Sequence, residues 1–231
     1  MLLSSCAGKE DEVKVVDGEQ SLAKQDSIIQ SAESRYDDRR DSLDALVDTV
    51  IVMPAELATK PFPEKVQGFL EVYEKLYKPS DVSSSHLLER FTSEYSLKRS
   101  VQKRLPVLSG NETTYPIAHL QFHKYADSAS FYNVLNNWYS CFESGCDQVI
   151  PGKEPGKLNT QPVFAIINPV DREIIVLNYD CRFRNNDWEQ VTTHLKNTFR
   201  GKDSYGLELG CAAPLKWFGE VPEKEMSEAS K

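Results

Sequence analysis

Histidine and cysteine are the residue types here whose spacing could do chemistry. The stretch "HLQFH" sets His119, Gln121 and His123 at alternate positions, with Leu120 and Phe122 between them. In a strand the first three share one face and the other two share the opposite face. Asn178, Asp180 and Glu208 lie on later strand-like stretches and are expected to face the same way. Two imidazoles beside carboxylates could hold a divalent metal or a polar ligand, with His119, His123 and Asp180 as the candidate ligands. The plainer reading is a half-exposed sheet whose solvent side is polar, or a polar face covered by helices.

The cysteines divide unevenly. Cys6 stands alone near the N-terminus, while Cys141, Cys146, Cys181 and Cys211 lie in the C-terminal half. An even set within one domain suits disulfides in an oxidising compartment. The alternatives are four buried thiols or a zinc site. Zinc ranks last, because Cys181 and Cys211 stand singly, outside any short knuckle. A cysteine nucleophile paired with histidine has no local motif to support it. There is no Walker loop, GxGxxG, GxSxG or HExxH, and "PGKEPGK" resembles a phosphate loop only in composition.

The elements that must position these residues can be read from periodicity. Residues 1–45 are highly charged and poor in apolar residues, as expected of a flexible acidic tether. "DTVIVMP" reads as a short strand or buried extended piece. Val66, Phe69, Leu70, Tyr73, Leu76 and Tyr77 then recur at helical spacing. Val82, Leu88, Phe91, Tyr95, Leu97, Val101 and Leu105 extend the pattern, predicting a helical hairpin within residues 46–110 that packs on the core of the C-terminal half. "LSGNETTYP" reads as a loop.

Residues 111–218 alternate in type. "IAHLQFHKY" is a strand, and "DSASFYNVLNNWYSCF" a helix capped by Asp127 or Ser128 with Phe131, Leu135, Trp138 and Phe142 inward. "VFAIIN" and "EIIVLNYDC" form a hairpin about "PVDR". "NNDWEQVTTHLKNTF" is a helix with Trp188, Val191, Leu195 and Phe199 inward and Gly201 at its end, and "YGLELGC" a last strand. The order β-α-β-β-α-β predicts an α+β, ferredoxin-like (split βαβ) antiparallel sheet with two helices. That arrangement brings the four C-terminal cysteines to one pole. It leaves one strand between the ends carrying Cys181 and Cys211, so these two could pair only beyond it. Residues 219–231 read as a disordered tail.

Charge and hydropathy narrow the class. The chain has 231 residues, of which 40% are hydrophobic, enough for a folded core. Its formal charge is −8, and residues 1–60 alone carry 13 acidic against 7 basic side chains. The absence of a basic stripe argues against nucleic acid, and the acidity argues against membrane binding by charge alone. No run reaches the ~18 apolar residues of a bilayer span.

The N-terminus carries a resemblance. Leu3-Ser4-Ser5-Cys6 resembles a bacterial lipobox, and Gly8-Lys9-Glu10-Asp11-Glu12 is similar to the export signal of Bacteroidetes surface lipoproteins. Asp26-Ser27-Ile28, Asp41-Ser42-Leu43 and Asp48-Thr49-Val50 resemble the O-glycosylation tripeptide of that phylum. The resemblance implies signal-peptide cleavage before Cys6 and lipidation of its thiol. It further implies palmitate-type acylation of the new amine and anchoring at the outer membrane or cell surface. Only Met1, Leu2 and Leu3 precede the serines, so the resemblance also implies a start further upstream. The expectation is a membrane-anchored lipoprotein with a protein or envelope partner, no cofactor, and a binding or assembly role rather than catalysis. The competing expectations are an anchored hydrolase or metal-binding enzyme using the His119/His123 face, and an ordinary domain with a chance lipobox.

Overall fold

The computed structural model describes residues 51–74, 77–80, 93–103, 107–109, 112–156, 158, 160–181, 185–211 and 213–222. Cys6, the tether, the start of "DTVIVMP", the span 81–92 and residues 223–231 lie outside the described residues. Val50–Lys231 cluster as one unit, and every described residue belongs to it.

A 3-10 helix at Ala55–Thr59 leads into helix α1, Phe62–Tyr73. Pro63 opens α1, where a missing N–H costs nothing. Phe62, Val66, Phe69, Leu70 and Tyr73 form its buried stripe. Gly68 lets the 3-10 helix lie against α1, because a Cβ there would run into Leu57. Strands β1 (Tyr77–Pro79) and β2 (Tyr95–Lys103) come next, then a small hairpin of β3 (Val107–Ser109) and β4 (Glu112–Thr114). Strand β5 (Ile117–Lys124) leads to helix α2 (Ser128–Ser140) and a 3-10 turn at Glu143–Gly145. Strands β6 (Val163–Asn168) and β7 (Glu173–Tyr179) precede helix α3 (Asn185–Phe199), β8 (Tyr205–Leu209) and β9 (Leu215–Phe218).

The fold is mixed α+β about a seven-stranded antiparallel sheet of order β1-β2-β5-β7-β6-β8-β9. Every residue of β6 and β7 is buried, as near-continuous apolar strands must be when both faces are covered. One face carries Leu120, Phe122, Phe164, Ile166, Ile175 and Leu177 under α1 and α3. The other carries Val163, Ala165, Ile167, Ile174, Val176 and Leu207 under α2. The strand alternation thus sorts two apolar cores onto opposite sides.

Three expectations are corrected. The order is not ferredoxin-like: the last strand of the β-α-β-β-α-β run, β8, pairs with β6, and the free side of β5 is taken by β2 from Tyr95 to Gln102. The two helices of that run also lie on opposite faces. Nor do the described residues of 46–110 form a helical hairpin, and Val82, Leu88 and Phe91 of its expected second helix lie outside them. Leu97 and Val101 sit in β2, and only α1 is helical beyond the 3-10 turn among the described residues there. "LSGNETTYP" is likewise not a plain loop, since it holds β4 and the end of β3.

Both predicted helices of the C-terminal half are present. Asp127 caps α2 by accepting from Ser130 N at 2.8 Å and from Ser130 Oγ at 2.9 Å. Phe131, Leu135, Trp138 and Phe142 are each at most 1% exposed. Gly201 does not end α3 in a left-handed turn, since the positive-φ glycines are Gly152 and Gly219. The Asn168 side chain does that work from the sheet, donating to Phe199 O at 2.9 Å.

Candidate functional site

The cysteines pair as Cys141–Cys146 and Cys181–Cys211. The first closes the short turn after α2. The second forms beyond the ends of β7 and β8, with Cα atoms 5.7 Å apart, although β6 lies between those strands. Sheet spacing forbids the bond within the strands and permits it past them.

Glu143 joins the two regions. It sits inside the Cys141–Cys146 ring with φ of 51°. Its Oε1 accepts from the Trp138 indole at 2.9 Å, and its Oε2 from Asn178 Nδ2 at 2.8 Å. Asn178 lies on β7 three residues before Cys181, so both disulfides gather at one pole of the sheet. Tyr179 adds a further tie. Burial and the nearby Glu208 charge push its phenol up to about 12, partly offset by a backbone hydrogen bond at Cys211.

An open groove of about 530 Å³ lies at this pole, between the 155–160 loop and the β8–β9 connection. Leu158, Leu209, Ala213 and Leu215 supply apolar wall, and Thr160 a hydroxyl. Ser144 in the disulfide ring reaches Thr160 Oγ1 at 3.4 Å, and Gly210 in the opposite wall adjoins Cys211. None of the described lining residues is ionisable. The volume falls in the range of ligand pockets, and the described lining supplies apolar contact and one hydroxyl.

The histidine face is built differently from expectation. His119 pairs with Asn178 in register, so those two share a face with Gln121 and His123. Glu208 points the other way, opposite Phe164, where it meets Lys196 at 3.6 Å and the Trp188 indole at 3.4 Å. Asp180 lies past the end of β7, its N–H donating to Ile117 O at 3.2 Å. The histidine side is covered by α2, which packs on Ile174 and Val176 in register with His123 and Gln121, while α1 lies on the opposite side against Leu120 and Phe122. No group of three or more His, Cys, Asp or Glu able to hold a metal occurs among the described residues.

The histidines have serine partners on β2 that periodicity did not single out. His119 Nδ1 is 2.7 Å from Ser100 Oγ, and His123 Nδ1 is 3.1 Å from Ser96 Oγ. His123 Nε2 meets Gln121 Oε1 at 3.4 Å, and its ring stacks near Tyr125. Gln121, His123 and Tyr125 are buried to 1% exposure or less. Gln121 Nε2 and the Tyr125 hydroxyl are buried polar atoms with no hydrogen-bond partner among the described residues. Glu143 likewise belongs to no sequence motif. Its one visible sequence signal was its place between Cys141 and Cys146.

Among the described residues no helix is long and apolar enough to cross a membrane. No family model, characterised protein or solved structure matches the chain.

Proposed function

We propose that this is a lipid-anchored bacterial envelope protein with a binding or assembly role, working through its disulfide-braced pole. The observation that carries the reading is the pairing of Cys141, Cys146, Cys181 and Cys211 beside a groove with no ionisable described lining. Two disulfides suit an oxidising compartment such as the cell envelope. A disulfide-braced rim whose described lining is apolar with one hydroxyl suits contact with a partner. The Leu3-Ser4-Ser5-Cys6 resemblance supplies the proposed anchor, with acylated Cys6 holding the unit at the outer membrane or cell surface.

Two measurements test this. The intact mass of protein taken from the envelope fraction should show acyl groups on Cys6; an unmodified Cys6 thiol there sinks the anchor. Photo-crosslinkers at Leu158 and Ala213 should give one adduct that excess unlabelled protein competes away. A crosslinker at the exposed Val170 should not give it. Equal labelling from Val170 would remove the groove as the binding surface.

The hydrolase alternative draws on one contact, Ser100 Oγ at 2.7 Å from His119 Nδ1. A serine-directed fluorophosphonate separates the readings: labelling of Ser100 that requires His119 favours a nucleophile, and its absence leaves the binding role.

A further inference from the structure

We propose that Cys141–Cys146 is a reducible latch, opened by a dithiol reductant while Cys181–Cys211 stays closed. The ring it closes is short, with a sequence separation of 5. Within it Glu143 and Cys146 both have φ of 51°, the left-handed region that non-glycine residues avoid. Such residues persist where surrounding structure holds them, and cutting the ring removes one such restraint. No left-handed residue flanks Cys181 or Cys211 among the described residues. Strained disulfides are the ones most readily reduced; Cys146, Cys181 and Cys211 are all exposed, so the strained short ring, and not access, sets the two bridges apart.

The ring is also anchored so that opening stays local. Phe142 is fully buried and its N–H donates to Asp147 O at 2.9 Å. Val149 is buried and donates to Tyr139 O at 2.8 Å. Between these anchors stand Glu143, held by Trp138 and Asn178, and Ser144, which meets the groove residue Thr160. Opening the ring lets Glu143 leave its left-handed conformation. Its contacts with β7 and the Ser144–Thr160 contact then loosen together.

The chemistry balances as an exchange. A thiolate of the dithiol attacks the exposed Cys146 sulfur, the S–S bond breaks, and Cys141 leaves as a thiolate that takes a proton. The second thiol of the reductant then displaces Cys146 and closes its own disulfide. Two electrons and two protons pass to the protein. The latch itself needs no bound partner; only its consequence for the groove rests on the binding role.

The test uses the oxidised full chain in dithiothreitol buffers of increasing reduced-to-oxidised ratio, with acid quench, alkylation and peptide mapping. Cys141 and Cys146 should be alkylated at a ratio at least about tenfold milder than Cys181 and Cys211, a gap of about 30 mV. At that ratio the Asn178 side-chain amide resonance and Trp138 fluorescence should shift, and a Cys141→Ser/Cys146→Ser variant should show the same shift. Joint reduction of both bridges, earlier reduction of Cys181–Cys211, or selective reduction that leaves the Asn178 resonance in place would each overturn the latch. No partner is present in the assay, so a failure of the binding role leaves its outcome unchanged.

Discussion

Glu143 and Asn178 are 35 residues apart in sequence and meet at 2.8 Å, joining the turn after α2 to the end of β7. The contact links the two disulfide-bonded parts of the molecule through one charged hydrogen bond. Hydrogen bonds to a charged group contribute about 1.5–3 kcal/mol. A double-mutant cycle of Glu143→Ala and Asn178→Ala should therefore return a coupling energy of about 1–3 kcal/mol in denaturant unfolding. Additive losses would show that the two side chains do not act together.

The two bridges should differ in what they contribute to stability. Their sequence separations are 30 for Cys181–Cys211 and 5 for Cys141–Cys146. Loop-closure entropy gives about 3–4 kcal/mol for the longer ring and about 2 kcal/mol for the shorter. Removing each pair by serine substitution and measuring unfolding in urea should rank them in that order. A larger loss from Cys141→Ser/Cys146→Ser would contradict the entropic account.

Glu173 sets a pH dependence on the α3 side of the sheet. It is 3% exposed. Burial raises its carboxyl above the usual range, against the opposing pull of its hydrogen bond from Asn168 and the charge of Lys124. Its folded form therefore binds a proton more tightly than its unfolded form. The contribution favours folding below the ordinary glutamate pKa and is lost as pH rises through the folded value. Glu173→Gln should flatten stability over that acidic window relative to the native chain, as read from thermal melts between about pH 4 and pH 7. An unchanged slope would place the titration elsewhere.

Tyr125 and Tyr139 make a matched pair for the buried hydroxyls. Tyr125 OH has no partner among the described residues, while Tyr139 OH lies 3.2 Å from Tyr205 OH. Tyr125→Phe should leave stability unchanged or raise it by up to about 1 kcal/mol, because an unpaired buried hydroxyl costs free energy. Tyr139→Phe should lower stability by about 1 kcal/mol. A comparable loss from Tyr125→Phe in chemical denaturation would mean that its hydroxyl is satisfied in solution.

The elements read correctly from the sequence have strong local signals. In α2, Asp127 precedes Phe131, Leu135 and Trp138 at helical spacing, so cap and stripe agree. The runs "VFAIIN" and "EIIVLNY" are short, branched and joined by a turn, which is enough to read a hairpin. Strand β2 failed that test because it satisfies both periods. Leu97, Val101 and Leu105 recur as on a helix, while Tyr95, Leu97, Arg99 and Val101 alternate as on a strand. Pairing with β5 decides between them, and that partner lies outside any local window. The face of Glu208 is hidden from the sequence for a related reason: it depends on its register with Phe164, which the order of elements does not specify.

By itself the sequence determined the α+β class, the two C-terminal helices with their inward faces, and the gathering of four cysteines in the folded half. These come from side-chain period and composition, which act over a few residues. Only the tertiary structure decided the strand order, the cysteine pairing and the placement of Glu143 against Asn178. Each of these depends on which edge of β5 is already occupied and how far apart strand ends lie, and those are distances between segments remote in the chain.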